Sequence, residues 1–421
     1  MVNNTFVWVI ALIGTVTSVH YAAADTTISE SIRSTFYPYR TEVALHQGIT
    51  PGMILGQQNW QVAEKVLPVE IARLVQAGDL SIVVQETTDL PARQAYISAT
   101  EQHANAVSLD GGYRVHSYQG GRPFPVIDPT DPRAGEKVAW NFRYRDMPDS
   151  MEMRGTMQGV NNAGTIDRSN IGRMRIRFGM HRVGEEANDS QWQERGIHIK
   201  AMFESLAPSD QEGNMRITTL YDDGNQANDD LSYSPQNRRT RKGYMNMLAR
   251  MGGGRYDVLA EEQPPFFFIG YLHEYIWTYK GEQVMLVPGF LRADTLTFSG
   301  KNNWYPNVPW ELRRVIALEA TPKGQHPYSK RVFYLDAQTY TLFSVLSYSL
   351  QGELVRLSLI VHGNPDFVPG ARGIRLPVQL GATWVNFSQD QASQMIAGGP
   401  LFKQGYSPRR FELMELLRKG K

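Results

Sequence analysis

The sequence predicts an α+β fold with a large antiparallel sheet. The clearest sheet signal is Arg331–Val361, which is typical of three strands joined by tight turns at residues 336–339 and at Gln351–Gly352. Apolar and polar side chains alternate along residues 355–362, which predicts one apolar and one solvated face. A second alternation, of arginine with apolar residues, runs along residues 173–178. Helical signals gather before residue 150, so the chain predicts helices first and strands afterwards.

Further strand candidates are separated by turns rich in Gly, Asn, Asp and Pro. They are residues 197–202, Arg216–Tyr221, Leu272–Tyr279, Glu282–Val287, Thr295–Phe298 and Val315–Ala320.

Three helix starts precede this strand-rich part. Asn59 is a capping residue for a helix that Pro68 interrupts and Gly78 ends. The other two starts are residues 89–91 and 131–132, where Asp is followed by Pro. We find no repeat and no low-complexity linker. The sequence therefore predicts one domain, with a mainly helical region at residues 25–110 followed by the sheet with helical insertions at residues 111–421.

Residues 1–24 have the pattern of a secretory signal. Phe6–Val19 is an uncharged apolar run, and Ala22–Ala24 fits a cleavage site that leaves Asp25 as the first mature residue. The competing interpretation is an uncleaved anchor, but the run is shorter than the roughly 20 residues of a spanning helix. The sequence thus predicts export across the inner membrane, with cleavage after Ala24.

Composition excludes several functional classes. The chain has 43 basic and 42 acidic residues among 421, a net charge of +1, so no bulk field attracts nucleic acid. It has no cysteine, which excludes disulfides and thiolate chemistry. Aromatic residues make up 11% of the chain, which suits a β-rich interior or an apolar ligand cavity.

Catalytic and metal-binding motifs are absent from the sequence. It contains no G-x-S-x-G, H-E-x-x-H or P-loop pattern, and the acidic segment at residues 221–230 lacks the spacing of a calcium loop. We therefore predict no catalytic residue, no metal and no cofactor. One enzymatic alternative stays open, because distant carboxylates such as Asp222, Glu274 and Asp336 could converge in the fold and act as a hydrolase.

Two aromatic segments and one basic cluster are the candidate binding residues. Three consecutive phenylalanines cannot all face one side of a strand, so we expect at least one to line a cavity or a partner surface. A core strand is the alternative interpretation. The ligand-binding candidates are Phe266, Phe267, Phe268 and Trp277 near a cavity, and Trp304, Tyr305 and Trp310 near its mouth. Arg238, Arg239 and Arg241 are candidates for docking a partner or a lipid headgroup, although basic runs are most often solvated.

Several motifs occur together in an order that resembles a known family. They are GGRPFPVIDPTDPRAGEKVAWNFRYR (120–145), YSPQNRRTR (233–241), YIWTYKGEQVMLVP (275–288), the segment from Glu311 to Leu342 and QGELVRL (351–357). The chain is similar to a bacterial periplasmic family of unassigned function, related in fold to the outer-membrane lipoprotein-sorting factors of the LolA/LolB type.

This resemblance implies a strongly curved antiparallel sheet, an incomplete β-barrel wrapped over helices, whose concave face forms an apolar cavity. It implies a periplasmic carrier of a lipid or another hydrophobic molecule that is not an enzyme. It also implies two partners, an inner-membrane transporter of the resistance-nodulation-division class and an outer-membrane barrel protein. Two other functions stay open: a periplasmic hydrolase of an envelope lipid or glycan, and a non-catalytic docking or assembly factor for an outer-membrane protein.

Overall fold

The structure, a computed structural model, describes residues 30–39, 48–184, 188–402 and 405–419. The predicted signal at residues 1–24 lies outside the described residues. After a helical turn at residues 30–34, the α-helices are α1 (Trp60–Glu64), α2 (Val69–Ala77), α3 (Gln94–His103), α4 (Ala134–Arg143), α5 (Ser190–Glu194) and α6 (Leu413–Lys419). None of the helices in these ranges is both long and apolar enough to cross a membrane.

Strands are the main regular structure of the described chain. The first ten are β1 (Ile54–Leu55), β2 (Ile82–Gln85), β3 (Ser108–Leu109), β4 (Val115–His116), β5 (Ser150–Val160), β6 (Ile166–Phe178), β7 (Ile197–Ala207), β8 (Met215–Tyr221), β9 (Asp229–Ser234) and β10 (Arg239–Tyr244). The others are β11 (Tyr275–Pro288), β12 (Phe290–Leu291), β13 (Phe298–Ser299), β14 (Tyr305–Pro306), β15 (Trp310–Pro322), β16 (Lys330–Asp336), β17 (Leu342–Tyr348), β18 (Leu354–Gly363), β19 (Val378–Asn386) and β20 (Gln391–Phe402).

Sixteen of these strands form one sheet, in the order β1-β2-β15-β16-β17-β18-β19-β20-β5-β6-β7-β8-β9-β10, with β11 beside β15 and β12 beside β18. Its pairs are antiparallel except β2 with β15 and β12 with β18. Within the described ranges the edge strand β10 pairs only with β9, and β11 pairs only with β15. Because β10 has no second partner strand there, the curved sheet does not close into a barrel. The predicted fold class, an incomplete barrel over helices, is confirmed. The parallel pairing of β2 with β15 joins the N-terminal region to the main sheet, while the predicted domain division stays a prediction.

Two hydrophobic cores lie on opposite faces of the strands β15–β19. One core packs α1, α2 and the segment around Trp304 against one face of the sheet. The other packs α4 and the segment 245–272 against the opposite face. Helix α4 approaches β11 closely because it carries Gly135, where a Cβ would lie 2.2 Å from the carbonyl oxygen of Trp277.

The three C-terminal strands follow the prediction in their positions but not in their exposure. Strands β16–β18 occupy the predicted segment, and Gly352 takes the expected positive φ of 85° in the second turn. The predicted solvated face of β18 is wrong, because Arg356, Ser358 and His362 are all buried. The segment 245–272 covers that face and supplies carboxylates to Arg356.

Candidate functional site

A cavity of about 680 Å³ lies between one half of the sheet and the segment 251–264. Strands β5–β10 and β20 line it on one side, and residues 251, 252, 255, 256, 260, 263 and 264 line it on the other. Its volume is within the range of about 300–1,000 Å³ that is usual for small-molecule sites. The cavity is therefore large enough to take a sizeable ligand.

The apolar part of the cavity is dominated by methionine. The methionines that line it are Met153, Met157, Met174, Met215, Met251 and Met395. Met153 and Met157 lie four residues apart on β5 and therefore share one face of the strand. Met174 on β6 is the directly paired neighbour of Met153. Thioether side chains are unbranched and polarizable, so they adapt to apolar surfaces of different shape. This lining suits a hydrophobic ligand of variable outline.

The floor of the cavity contains a glycine pair. Gly155 of β5 lies opposite Gly172 of β6. A Cβ at Gly172 would lie 2.3 Å from Cε2 of Phe203, so the bare glycine allows the Phe203 ring to lie directly over the sheet. The absence of a side chain at this position thus preserves the depth of the cavity.

The charged residues that line the cavity are all arginines. They are Arg216, Arg239, Arg241 and Arg255, and the described lining contains no Asp, Glu, His or Lys. Arg255 pairs with Asp210 at 3.3 Å, and Arg216 pairs with Asp230. Arg239 and Arg241 are exposed on the edge strand β10. The β10 side of the cavity is therefore cationic.

Buried ion pairs fix the segment 251–264, the wall segment of the cavity, to the sheet. Glu261 lies 2.8 Å from the guanidinium of Arg331 and accepts a hydrogen bond from the Tyr275 hydroxyl at 2.7 Å. Burial opposes the ionised form of Glu261. The charge of Arg331 and the contacts of His326 and Tyr275 together outweigh burial and hold the pKa of this carboxyl below its ordinary value. Glu262 accepts from Arg356 at 2.8 Å, and Asp257 pairs with the same arginine. The wall is thus held in place by charges that have no access to water.

The sequence profile of a protein family of unknown function, DUF1329, matches residues 54–388. The chain belongs to this family. The matched region extends from β1 through β19 and includes the wall segment and the cavity strands β5–β10, whereas Met395 on β20 lies beyond it. The predicted membership of a family of unassigned function is confirmed. No protein in the curated collection of characterised sequences matches the chain.

Several solved structures are similar to the chain at low identity and low structural similarity. A proposed outer membrane lipoprotein-sorting protein domain of Vibrio parahaemolyticus is 15% identical, with a TM-score of 0.48 over 68% of this chain and 100% of that one. A DUF1329 protein of Desulfovibrio piger gives the same four values. A LolA superfamily protein of Nitrosomonas europaea is 10% identical, with a TM-score of 0.38 over 65% of this chain and 94% of that one. At these scores the likeness is loose, and it identifies no ligand.

The seven aromatic residues predicted to bind ligand lie in the two cores of this DUF1329 chain. Phe268 packs edge-on against Tyr275, Trp277 and Phe333, with ring centroids 5.5 Å away for the first two and 5.6 Å for the third. The core that packs α4 contains Phe266, Phe267, Phe268 and Trp277. The core that packs α1 and α2 contains Trp304, Tyr305 and Trp310. None is among the residues that line the large cavity. Their role in ligand binding stays a prediction, although the structure packs all seven side chains into the cores and away from the large cavity.

Of the predicted docking residues, Arg239 and Arg241 line the cavity. Arg238 precedes them in the turn before β10, at a positive φ of 47°. The sequence reasoning missed the methionines. Their signal was the repeated alternation in MEMRGTM (151–157) and RMRIRF (173–178), in which every second residue faces the cavity or the core beside it.

The carboxylates of the hydrolase alternative have other partners. Asp222 accepts a hydrogen bond from the Tyr144 hydroxyl at 2.7 Å and lies 3.1 Å from Nε2 of His181. Burial raises the pKa of Asp222, but the neighbouring His181 outweighs it and lowers the pKa below its ordinary value. Asp336 is bound by Arg313 at 2.7 Å. Neither carboxylate, nor Glu274, lines the large cavity.

The first prediction concerns the anchor of the wall. Replacing Glu261 with Gln removes the nearer of the two carboxylates that contact Arg331. We expect the free energy of unfolding at pH 7 to fall by about 3–5 kcal/mol, because the buried guanidinium loses its closest partner. Urea denaturation of the two proteins measures the difference. The difference should narrow as the pH falls from about 4.5, the ordinary pKa of a glutamate, through the lower pKa of the folded protein. In that range the unfolded chain takes up a proton before the folded carboxyl does, so this stabilisation is lost.

The matched control is Glu86→Gln, which removes a carboxylate from an exposed pair with Arg292 at 3.5 Å. This change should cost less than about 1 kcal/mol. Equal effects of the two substitutions would show that the Glu261 pair does not anchor the wall.

Proposed function

We propose that this protein is a periplasmic carrier of a lipid or another hydrophobic molecule and not an enzyme. The observation that carries the proposal is the open, methionine-lined cavity of about 680 Å³. Burying a methylene group contributes about 0.8 kcal/mol, so a long apolar chain binds such a surface with few polar contacts. The names of the solved structures that share the fold agree with it, since two of them are described as lipoprotein-sorting or LolA proteins.

A carrier role accounts for the composition of the site better than catalysis does. A hydrolase needs a general acid or base within hydrogen-bond reach of its substrate. The described lining of the cavity offers no Asp, Glu or His for this task. A purely structural docking factor would need no cavity at all, and side chains would be expected to fill this space.

The arginines beside β10 suit docking on an acidic surface. Arg239 and Arg241 project from an exposed edge strand, where a guanidinium can pair with a phosphate or carboxylate of a partner. In this proposal they bring the mouth of the cavity to an anionic membrane surface or to an acidic partner protein. The transporter of the resistance-nodulation-division class and the outer-membrane barrel protein are the proposed partners.

The test is mass spectrometry of an organic extract from the protein purified from its native envelope. We expect a stoichiometric lipid or other hydrophobic compound, and uptake of a neutral fluorescent probe by the emptied protein. A protein that is empty as isolated and also fails to take up the probe would contradict the carrier proposal.

The location of the site is tested by Gly172→Ala. The new methyl group would collide with Phe203 and push its ring into the cavity. We expect the affinity for the neutral probe to fall about fourfold for each methylene-sized contact that is lost. Gly243→Ala is the matched control, because a Cβ on that strand residue meets nothing within 4 Å. Unchanged probe affinity in Gly172→Ala would place the ligand elsewhere.

A further inference from the structure

A second, much smaller cavity of about 40 Å³ adjoins the apolar end of the large one. Met153 lines both cavities. Met395 lines the large cavity, and its sulfur lies 3.9 Å from Nε2 of Gln379, which lines the small one. Methionine side chains, which rotate easily, therefore lie between the two spaces at this point.

The small cavity contains an arginine without a carboxylate partner. Arg145 donates to the carbonyl oxygen of Phe142 at 2.9 Å and more weakly to those of Pro265 and Phe266 at 3.4 and 3.2 Å. Its guanidinium forms no ion pair with a described carboxylate, although Arg145 is only partly exposed. Burial lowers the pKa of Arg145 to about 10, which expresses the energetic cost of the unbalanced charge. Asp146 also lines the cavity, but Arg93 binds its carboxylate through the backbone N–H and the guanidinium, with four hydrogen bonds.

Other buried arginines show how unusual this is. Arg331 and Arg356 each contact two carboxylates. Arg122 has none, but its guanidinium lies between the rings of Phe36 and Tyr340, at 4.2 and 4.6 Å, and lines neither cavity. Arg145 also lies over a ring, that of Phe142 at 4.7 Å. It differs from all three because it lines a cavity and has no carboxylate partner there.

Two further polar atoms in this space lack partners among the described residues. Nδ1 of His362 and Oε1 of Gln379 are buried and form no hydrogen bond there. The two side chains are only 7% and 9% exposed, and both line the small cavity. Burial lowers the pKa of His362 to about 3, so its imidazole is neutral at pH 7 and Nδ1 can carry a proton to donate. A buried polar group without a partner is costly, which favours a ligand atom at this place.

We infer that the small cavity is the headgroup end of the ligand site and binds the carboxylate of an amphipathic acid, such as a long-chain fatty acid, whose apolar chain occupies the methionine-lined cavity. Arg145 supplies the charge, and Nδ1 of His362 and the rotated amide of Gln379 supply further donors. The assignment rests on the proposed carrier function. A space of about 40 Å³ holds a group of roughly the size of one or two water molecules, which fits a carboxylate and not a glycerophosphate.

The competing role for Arg145 is structural. By donating to the carbonyl of Phe142 it caps the C-terminus of α4, where a positive charge is favourable. A cap stabilises the protein whatever ligand is present. A carboxylate site instead distinguishes an acid from its neutral ester, so this preference is the property to measure.

The experiment measures displacement of a neutral fluorescent probe by palmitate and by methyl palmitate. For the wild-type protein we expect palmitate to bind about 10- to 100-fold more tightly, the range for hydrogen bonds to a charged group. Arg145→Gln should reduce the affinity for palmitate to that for methyl palmitate. It should leave the affinity for methyl palmitate unchanged. Arg122→Gln is the control for loss of a buried arginine, and it should preserve the preference for the acid.

Each other outcome has a defined meaning. Equal affinities of acid and ester in the wild-type protein, a comparison that needs no variant, would overturn the carboxylate assignment and leave the carrier proposal intact. Equal losses of both affinities in Arg145→Gln would assign Arg145 to the cap alone. A further ligand to compare is palmitoyl lysophosphatidic acid. If it binds as tightly as palmitate and loses as much affinity in Arg145→Gln, the site binds a phosphate. Failure of the probe and both ligands to bind would contradict the carrier function itself.

Discussion

The buried pairing of the wall segment with Arg331 and Arg356 is the constraint on which the rest of the site depends. These arginines project from β16 and β18, while the cavity lies over β5–β10 in the other half of the sheet. Carboxylates at residues 257, 261 and 262 bind them, so the wall is fixed at one side and spans the cavity without filling it. Removing these charges from water costs several kcal/mol each, which good geometry must offset.

This arrangement explains why the space stays open. Apolar side chains on the wall and on the sheet would gain free energy by moving together. The ion pairs require a definite position of residues 257–262, and collapse of the wall onto β5 and β6 would break them. The bare floor at Gly172 and the ring of Phe203 then determine how deep the cavity is. Specific electrostatic contacts thus hold apart two surfaces that the hydrophobic effect would otherwise bring into contact.

The sequence predicted the fold better than the site, for physical reasons. Local signals located β16–β18 and α4 correctly. For the strands they were the period of two and the glycine at 352, and for α4 the signal was the Asp-Pro pair at 131–132. Burial of Arg356 depends on a segment about 100 residues away, which no local pattern reveals. Phe266–Phe268 were expected at a cavity because aromatic residues suit both ligands and cores, and composition alone does not separate the two. The methionines were overlooked because a thioether in an alternating pattern looks like any other core residue.

The chemistry of the large cavity also bears on release, which a carrier needs as much as binding. Affinity that comes from apolar contact is spread over many weak interactions, each about 0.1–0.2 kcal/mol for a pair of atoms. Adaptable methionine side chains lose these contacts one after another as a chain withdraws, so no single strong bond has to break. A preformed wall adds little reorganisation to either step. The charged contact with Arg145 in the small cavity would then contribute most to selecting the ligand. The apolar surface of the large cavity would contribute most to holding it.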